Sequence, residues 1–497
     1  MYNNPRREGK TDMILKGYLF SLLYGIACLA LAMFVYKLGV PKKYTRKIVH
    51  ILVGFEWVIL YRYFGATYHF LLVCLFFLAL LLISHFGKLL PMISSDDDNS
   101  LGTVYYAVAM TGVAIVGLFE PGVMLPFGIG VICTSVGDGF AGVVGQLVKK
   151  HNPKIYKNKT VFGFTTNLLA SFLASYLLSY IFEIGLSLWQ CLSLAVLSCG
   201  IELIVGFGMD NIAITWSVTA LGYLFLNVNG VENYLVPILA TPFVIAFVIE
   251  KKALTKWGTA AAIFMDAIIS IAFGNFGFVT LISFFVGSVI VDKIKAFAKH
   301  SLSDDETLKR GTRDVIQVIA NGAVPTAAAC AFVFSKGNPI FAIAFVASLA
   351  EAFADTAASG IGAFSKAAFD PFRWRKCSGG LSGGMSLLGT FASLIGATAI
   401  SFLAMALTKG AFSIEYVAVA SIVAFFGALF DSLLGSLCQV KFRCEVCGKL
   451  TEKKVHCALP TKKAEGIRFV DNDVVNVASG FFAAAASVVL FYCFGII

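Results

Sequence analysis

The sequence predicts an all-α protein that crosses the membrane many times, with about 16 transmembrane helices in two related halves. Of its 497 residues, 58% are hydrophobic and 14% are charged, and the mean hydropathy is +0.83. Apolar runs of about 20 residues, the length that a helix needs to cross a bilayer, recur along the whole chain. A polar pattern that occurs twice within these runs indicates the two halves.

The predicted spans follow the apolar runs in order. They cover roughly 17–36, 49–62, 66–84, 103–118, 122–141, 162–183, 186–206, 212–228, 234–250, 257–273, 277–292, 314–335, 338–360, 384–407, 414–437 and 476–496. No small-residue cleavage motif follows the first run, so we expect an uncleaved span rather than a signal peptide. The turn-like NVNGVEN at 227–233 places the join near 230 and predicts domains 1–230 and 231–497.

The distribution of basic residues predicts the orientation. Loops on one face of the predicted topology carry 32 of the 39 Lys and Arg residues, and the other face carries seven. The positive-inside rule makes the basic face cytoplasmic and predicts sites that face the cytoplasm, in a bacterial or archaeal cell membrane. The net charge of +10 then reflects topology, anionic lipids and phosphates, and not nucleic acid.

One polar pattern, D-x2-A-x3-G-x13-K-x3-G, occurs once in each half. Its first copy is Asp138, Ala141, Gly145, Lys159 and Gly163, and its second is Asp355, Ala358, Gly362, Lys376 and Gly380. A carboxylate, small residues one and two turns later, and a Lys beside Gly suit a phosphate held by a metal and an ammonium group. We therefore predict Asp138, Lys159, Asp355 and Lys376 as catalytic residues. A chance match of common small residues is the alternative.

Other polar residues of the first half lie on or near the same face. Ionisable residues inside spans are costly, so Asp138 and Glu202 are functional candidates, with an intramembrane ion pair or helix contact as the alternative. The predicted nucleotide or phosphate contacts are Arg46, His50, Thr103, Thr160, Gly163 and Asn211. For His50 a structural role, and for the loop lysines a topological role, are the alternatives.

The motifs RKIVH, SLGTVYY, GDGFAG, KTVFG and E…DN, in this order over about residues 15–225, carry a resemblance. They resemble the CTP-dependent polyprenol kinase family, which includes dolichol kinase, phytol kinase and CTP-dependent diacylglycerol kinase. The resemblance implies phosphoryl transfer from CTP, with Mg²⁺, to a lipid alcohol. It implies metal or triphosphate ligands at Asp138 and Asp210, to which we add Glu202, and phosphate contacts at Lys159 and Thr160. Walker A and protein-kinase motifs are absent from the sequence.

The second half carries a different set of motifs. SGGLSGG, beside Arg375, is a candidate phosphate cradle, although Gly-rich helix packing would look alike. The predicted nucleotide or phosphate contacts are Arg313, Gln317, Asn321, Ser359, Arg375, Gly379, Gly380, Ser382, Gly383, Gly384, Asn472 and Asn476, and the predicted Mg²⁺ ligands are Asp355, Asp431, Asp471 and Asp473. NxG, DTxxS, GGxSGG, DSxxGxxxQ and DNDxVN, over about 250–490, resemble the phytyl-phosphate kinase family, which converts an isoprenyl monophosphate to the diphosphate. Gly360 departs from that pattern, where an acidic residue is expected.

Four further residues have the sequence spacing of metal ligands. Cys444, Cys447, His456 and Cys457 form CxxC followed by His-Cys, which suits a structural zinc, with free reduced thiols as the alternative. The remaining cysteines lie mostly in spans and read as small apolar residues, so no disulfide framework is predicted.

Together these patterns predict a fused bifunctional kinase of isoprenoid salvage. The first half would phosphorylate a prenyl alcohol (phytol, geranylgeraniol or farnesol type) with CTP, and the second would phosphorylate the prenyl phosphate with CTP or another nucleotide. The alternatives are a CTP-dependent diacylglycerol or dolichol kinase and a secondary transporter. Polar motifs at one face, repeats of the same orientation and lysines close to the acids argue against the transporter. The expected partners are the bilayer, the two lipid substrates and the nucleotide.

Overall fold

A computed structural model describes residues 5–87, 101–148, 151–206, 208–302, 312–365, 368–377 and 381–494. Within these residues, 12 helices are long and apolar enough to cross a membrane, so the prediction of an all-α polytopic membrane protein is confirmed. The chain forms two compact units, Met1–Glu250 and Lys251–Ile497. The predicted join near 230 lies about one helix too early, because the helix that ends at Glu250 packs on the first unit.

In the described residues of the first unit, the regular elements are helices and one short hairpin. Its helices are α1 (Pro5–Lys37), α2 (Lys42–Gly54), α3 (Glu56–Phe64), α4 (Tyr68–Gly87), α5 (Gly102–Phe119), α6 (Met124–Ile132), a π-helical segment (Cys133–Asp138), α7 (Gly139–Leu147), α8 (Val161–Ile181), α9 (Leu188–Ile204), α10 (Asp210–Asn227) and α11 (Leu235–Glu250). The antiparallel hairpin consists of β1 (Lys154–Tyr156) and β2 (Lys159–Thr160), and it leads directly into α8.

The second unit has fewer and longer helices. They are α12 (Lys256–Leu302), α13 (Val315–Phe334), α14 (Pro339–Ile361), α15 (Leu387–Leu407), α16 (Ile414–Leu437) and α17 (Asn472–Phe494). Between α14 and α15 lie β3 (Ala368–Asp370) and β4 (Arg375–Cys377), which form an antiparallel pair. Between α16 and α17 lie β5 (Lys441–Arg443), β6 (Leu450–Thr451), β7 (Val455–His456), β8 (Leu459–Pro460) and β9 (Lys462–Glu465), with β6-β5-β9 in one sheet and β7-β8 in another.

The span count differs from the predicted number of about 16 in four places. The segment predicted at 49–62 is covered by the short helices α2 and α3, and the segments at 186–206 and 212–228 form α9 and α10, which are shorter or less apolar than the other spans. The two spans predicted at 257–273 and 277–292 form the single element α12. Its backbone leaves helical geometry at Gly274, where φ is +57°, so the expected break is present as a kink.

One span in each unit is buried on nearly all sides. In Pro121–Leu147 and in Pro339–Phe364, 72% of the residues in the most apolar 18-residue stretch are buried, against 17 to 50% in the other spans. The first of these contains α6, the π-helical segment and α7, and the second contains α14. These two central spans carry Asp138 and Asp355, so each copy of the repeated carboxylate lies at the centre of its unit.

Candidate functional sites in the two units

All five residues of the first repeat copy line one cavity of about 270 Å³, which we call the polar cavity. Asp138 ends the π-helical segment, Ala141 and Gly145 lie in α7, Lys159 lies in β2 and Gly163 lies in α8. The sequence spacing thus brings together residues from four separate elements. The pattern is a spatial cluster in the first unit.

Asp138 is the last residue of the π-helical segment and is 5% exposed. π-Helical turns are rare and occur frequently at functional sites, because the extra residue redirects side chains within a helix. The Lys47 ammonium group donates to Asp138 Oδ2 at 2.6 Å. His50 Nε2 lies 3.8 Å from the same oxygen and 3.1 Å from the carbonyl oxygen of Thr134. Helix α2 therefore places one cation directly on the buried carboxylate.

Lys159 faces the other acid of the cavity. Its Nζ donates to Glu202 Oε1 at 2.6 Å, and the second Glu202 oxygen accepts from the Asn167 amide. Burial alone would lower the pKa of Lys159, but the Glu202 and Asp138 carboxylates outweigh burial and raise that pKa above its usual value. The two carboxylates therefore favour the charged ammonium form of Lys159 in the lining of the cavity.

Two glycines allow the backbones of α7 and α8 to touch beside this lysine. A Cβ on Gly145 would lie 3.1 Å from Thr160 Oγ1 and 3.4 Å from Gly163 Cα. Thr160 caps α8, since its Oγ1 accepts from the Gly163 N–H at 3.3 Å. The N–H groups of Val161, Phe162 and Gly163 already have acceptors, which are the Pro153 carbonyl, Asn152 Oδ1 and Thr160 Oγ1, so it is the positive end of the α8 dipole that favours an anionic ligand beside Lys159.

Asp210 is the third carboxylate on the polar cavity, and it interacts electrostatically with Asp138. Its neighbour Asn211 donates to the carbonyl oxygen of Gly102 at 2.7 Å and so joins α10 to the start of α5. Mg²⁺ prefers carboxylate oxygens and retained waters as ligands. Two like charges facing one cavity, with Glu202 nearby, form a donor set that fits this cation.

Three predicted phosphate contacts lie elsewhere. Arg46, His50 and Thr103 line a second cavity of about 130 Å³, whose walls are mostly apolar and come from α1, α2, α3, α4 and α5. We call it the apolar cavity. Buried in its wall, the Tyr106 hydroxyl faces Ser135 without forming a hydrogen bond of standard geometry. His50 is in contact with Asp138 as well, so α2 forms the wall between the two cavities.

The second unit reproduces the frame of the first repeat copy. A Cβ on Gly362 would lie 3.2 Å from Ser386 Oγ and 3.3 Å from Gly389 Cα, and Ser386 caps α15 by accepting from the Gly389 N–H at 3.1 Å. A Cβ on Gly389 would meet the Ala358 carbonyl at 2.9 Å, just as one on Gly163 would meet the Ala141 carbonyl at 3.3 Å. The repeat is therefore a structural one.

This geometry corrects the ungapped alignment of the two copies. Ser386 and Gly389 occupy the positions of Thr160 and Gly163, and Met385 therefore stands where Lys159 stands. Lys376, the predicted counterpart of Lys159, lies in β4 and is exposed, while Gly379 and Gly380 lie outside the described residues. The segment from Gly362 to the Ser386 cap contains β3, β4 and the glycine-rich loop and is nine residues longer than the segment from Gly145 to the Thr160 cap, and an ungapped comparison cannot include that insertion.

Three acids cluster between the helices of the second unit. Glu351 is 2% exposed and Asp431 is 9% exposed, and Asp355 interacts electrostatically with both. Ser479 of α17 donates to Asp431 Oδ2 at 3.3 Å. A Cβ on Gly427 would lie 2.6 Å from Glu351 Cγ, so this glycine makes room for the Glu351 side chain. The structure thus brings Asp355 and Asp431 together, as the sequence predicted.

The described part of the glycine-rich loop is held by charged residues from the segment after α16. Lys441, fully buried, donates to the Ser382 carbonyl at 2.8 Å, and the Ser382 N–H donates to Glu452 Oε1 at 2.8 Å. Gly383, with φ of +87°, packs against Ser436 where a Cβ would come within 2.6 Å of the backbone. Gly384 closes the turn by donating to the Leu381 carbonyl at 3.1 Å.

Two arginines beside this loop share one carboxylate. Arg375 makes two hydrogen bonds to Glu465, at 2.9 and 3.0 Å, and Arg373 makes one at 2.6 Å. The Arg375 hydrogen bonds, with the charge of Arg373, lower the pKa of Glu465 below its usual value although partial burial opposes this. The predicted phosphate contact Arg375 is therefore engaged in an ion pair in this conformation.

The remaining predicted residues of the second unit have local roles. Arg313 pairs with Asp292 at 2.8 Å, and Gln317 completes the Asp314 capping box of α13. Asn321, Ser359 and Asp471 make hydrogen bonds within one turn of their own position, Asn472 and Asn476 bond each other at 3.5 Å, and Asp473 is half-buried at the start of α17. None of these residues contacts the buried acids in the hydrogen bonds and ion pairs of the described residues.

The predicted zinc residues do come together. The ligand atoms of Cys444, Cys447, His456 and Cys457 all lie within 4.8 Å of one another. His456 Nδ1 is 3.5 Å from the Cys447 sulfur and 3.2 Å from the Cys457 sulfur. The backbone N–H of Cys447, against partial desolvation and with help from His456, lowers the pKa of the Cys444 thiol to about 6.

Sequence reasoning missed several residues that the structure brings to these sites. Lys47 stands in the RKIVH motif, three residues before His50, and that helical spacing could have indicated it. Asn167 lies two turns into α8 without a motif, and Lys441, Glu452 and Glu465 belong to a segment whose contacts depend on the fold. Sequence alone carries no signal for these last four.

Comparison with known proteins shows the family to which the chain belongs. The phytol kinase of Synechocystis sp. is 31% identical over 183 residues, which cover 35% of this chain and 76% of that protein. The chain belongs to the family of this phytol kinase. Residues 239–484 also match the family described as Integral membrane protein DUF92.

Two further relatives match the chain over different lengths. Protein VTE6, chloroplastic, of Arabidopsis thaliana is 27% identical over 255 residues, or 50% of this chain and 66% of that protein. An uncharacterized membrane protein of Synechocystis sp. is 28% identical over 206 residues, or 40% of this chain and 77% of that protein. Solved structures offer no match.

Proposed function

We propose that the protein is a membrane kinase that phosphorylates a prenyl alcohol twice, first to the monophosphate in the first unit and then to the diphosphate in the second. The observation that carries the proposal is the pair of adjoining cavities in the first unit. One is lined by three carboxylates and two ammonium groups, and the other is apolar, with α2 between them. The kinship with a phytol kinase supports the reaction type.

The polar cavity suits the phosphate end of a nucleoside triphosphate. Lys159 and the capped start of α8 supply positive charge for the transferring phosphoryl group. In phosphoryl transfer most of the catalysis is positioning and charge neutralisation, so few reacting side chains are needed. We propose that Mg²⁺ binds at Asp138 and Asp210, with Glu202 nearby, and neutralises phosphate charge when bound.

The apolar cavity suits the hydrocarbon of the acceptor. Its polar end is formed by Arg46, His50 and Thr103, and His50 is also 3.8 Å from the Asp138 carboxylate. A prenyl chain in this cavity would bring its hydroxyl group to the wall shared with the polar cavity. The hydroxyl oxygen then attacks the terminal phosphorus, the bond to the leaving nucleoside diphosphate breaks, and the hydroxyl proton passes to water or to an oxygen of the transferred phosphate.

For the second transfer we propose the buried acids of α14 and α16 as cation ligands. Asp355 occupies the position of Asp138, and Ser386 and Gly389 reproduce the cap beside which Lys159 stands in the first unit. We propose that positive charge for the substrate phosphates comes from Lys441, which donates to the Ser382 carbonyl, and from Arg375, which is paired with Glu465. The motif resemblance to the phytyl-phosphate kinase family supports this assignment.

The donor and the orientation complete the proposal. CTP is the donor for the first transfer on the strength of the motif resemblance, and CTP or another nucleotide serves the second. The polar cavity opens beside the Lys-rich loops, which the positive-inside rule assigns to the cytoplasm, where nucleotides are available.

The test is a substrate matrix with purified protein in lipid nanodiscs. Phytol, geranylgeraniol, farnesol, dolichol and diacylglycerol are each supplied with CTP or ATP, with and without Mg²⁺, and products are read by mass spectrometry. We expect monophosphate and diphosphate from a prenol with CTP and Mg²⁺. Products from diacylglycerol or dolichol alone would replace the assignment by another lipid kinase, and binding without any product would contradict a kinase.

A further inference from the structure

We infer that Cys444, Cys447, His456 and Cys457 bind a structural zinc ion, and that this zinc holds the segment that positions the glycine-rich loop of the second unit. The segment, Lys441–Glu465, runs from β5 to β9 between α16 and α17. The zinc site stands by itself, whereas its effect on catalysis rests on the proposed second phosphoryl transfer.

The ligand geometry fits a tetrahedral zinc ion. With Zn–S bonds of about 2.3 Å and Zn–N bonds of about 2.0–2.1 Å, tetrahedral ligand atoms lie roughly 3.5–3.8 Å apart. The His456 Nδ1 distances to the Cys447 and Cys457 sulfurs are 3.5 and 3.2 Å, and all four ligand atoms lie within 4.8 Å. Three thiolates and one imidazole form a common closed structural set.

The backbone around the ligands has the shape of two metal-binding turns. In the first, the Gly448 N–H donates to the Cys444 carbonyl, Gly448 has φ of +69°, and the Cys447 and Val446 N–H groups face the Cys444 sulfur. In the second, Cys457 and Ala458 both have positive φ, at 51° and 60°, and connect β7 to β8. Positive φ at both positions is the geometry of a tight two-residue hairpin, and this hairpin places His456 and Cys457 within the ligand cluster.

Hydrophobic burial does not hold this segment. Its apolar side chains Val446, Val455 and Leu459 are 60%, 57% and 53% exposed, and Cys444 is the one buried hydrophobic residue among its described members. A chain of this length without a core of its own usually needs a disulfide or a metal. The sulfurs here are free thiols in the structure, so zinc is the constraint that these residues can supply.

The segment in turn contacts the glycine-rich loop at Ser382 and the β3–β4 hairpin before it at Arg373 and Arg375. Glu452, between the two halves of the zinc site, accepts from the Ser382 N–H at 2.8 Å. Lys441, just before Cys444, donates to the Ser382 carbonyl at 2.8 Å. Glu465, at the end of β9, binds Arg373 and Arg375. Loss of zinc should therefore loosen the loop as well as the segment.

The first experiment measures metal content and protection from trypsin in the full-length protein. We expect one zinc per chain, its loss in Cys444→Ser and Cys447→Ser, and its retention in the control Cys438→Ser, which lies outside the cluster. Loss of zinc should unfold the backbone around the exposed residues Lys453 and Lys454 and so speed cleavage by trypsin there. Co²⁺ in place of zinc should give the absorption of a tetrahedral thiolate complex. Zinc-free purified protein, or unchanged zinc in both ligand variants, would overturn the site.

The second experiment separates the zinc from the catalysis. Glu452→Ala should keep the zinc and lower conversion of prenyl monophosphate to diphosphate by roughly tenfold, in line with one lost charge-assisted hydrogen bond. The control Glu445→Ala, in the same segment, should keep both the zinc and the rate, because Glu445 pairs with the exposed Lys462. Production of monophosphate by the first unit serves as the folding control in every variant.

The outcomes distinguish the two claims. If zinc is bound but prenyl monophosphate is never converted in the unmodified protein, the proposed function of the second unit fails and the zinc site stands. If conversion occurs but Glu452→Ala and Glu445→Ala behave alike, the coupling between the segment and the loop is overturned.

Discussion

The two units place a repeated carboxylate on the same backbone frame but surround it with different charges. In the first unit, Lys47 pairs with Asp138 and Lys159 pairs with Glu202, so the acids and their cations share one cavity. In the second, Met385 replaces Lys159, and the buried acids Glu351 and Asp431 form no ion pair within the described residues.

The two units differ in where the cations near their acids are located. The first unit builds its positive charge from α2 and the β1–β2 hairpin, at the edge of the spans. The second builds it from Arg373, Arg375 and Lys441, all in segments that connect the spans. Under the proposed function, the substrate of the second unit already carries a phosphate, and cations in the connecting segments suit that larger headgroup. The repeated frame thus keeps the carboxylate while the cations are replaced.

The largest effect is expected from Asp138→Asn, which removes the central carboxylate of the first unit. Conversion of prenol to monophosphate should fall by roughly 10²-fold or more, the usual consequence of losing one electrostatic contact to a transition state. Conversion of added prenyl monophosphate to diphosphate should be unchanged, because the second unit has its own acids. Loss of both activities in folded protein would mean that the units share one site.

Lys159→Met makes the first unit resemble the second at this position. We expect a loss of roughly 10- to 10²-fold in the first transfer, because Met keeps the length of the side chain but removes the ammonium group from the polar cavity. The control is Lys154→Met in the same hairpin, whose exposed side chain should be dispensable. Equal rates for these two variants would remove Lys159 from the phosphate site.

Ala107→Leu tests whether the apolar cavity of the first unit takes the prenyl chain. The larger side chain would occupy part of a cavity of about 130 Å³, so kcat/KM for the prenol should fall by roughly tenfold while the KM for CTP stays the same. Val108→Leu, at the exposed neighbouring position of α5, is the matched control. A change in the KM for CTP instead would assign this cavity to the nucleotide.

The smallest effect is expected from Lys376→Ala in the second unit. Its side chain is exposed in β4, and exposed charges usually contribute less than about 1 kcal/mol, or about fivefold in rate. Steady-state rates of the second transfer measure this. A loss close to that of Asp355→Asn would restore Lys376 as the counterpart of Lys159.

Sequence patterns predicted those parts of the molecule that depend on local order. Composition and apolar runs predicted the membrane fold, and the repeat predicted the cluster of Asp138, Lys159 and Gly163 because its spacing spans consecutive elements. The same reasoning placed the four zinc residues together, since they lie within 14 residues of one another.

Other features could not be predicted because they depend on insertions and distant contacts. The longer segment between Gly362 and the second helix cap, which includes β4 and the glycine-rich loop, shifts that cap to Ser386, and an ungapped comparison must miss this. The contact of Lys47 with Asp138 joins residues 91 positions apart, and that of Arg375 with Glu465 joins residues 90 apart. Arg46 and Lys47 are neighbours in sequence, and the helical turn alone sends them to different cavities.

The most direct test of two separate sites is the product of Asp355→Asn when it is given a prenol, CTP and Mg²⁺. Asp355 holds the position of Asp138 in the second unit, so its loss should stop the second transfer and leave the first intact. We predict that prenyl monophosphate accumulates without diphosphate, and that adding Asp138→Asn protein to the same membranes restores the diphosphate. Undiminished diphosphate from Asp355→Asn alone, or the absence of monophosphate, would contradict the account.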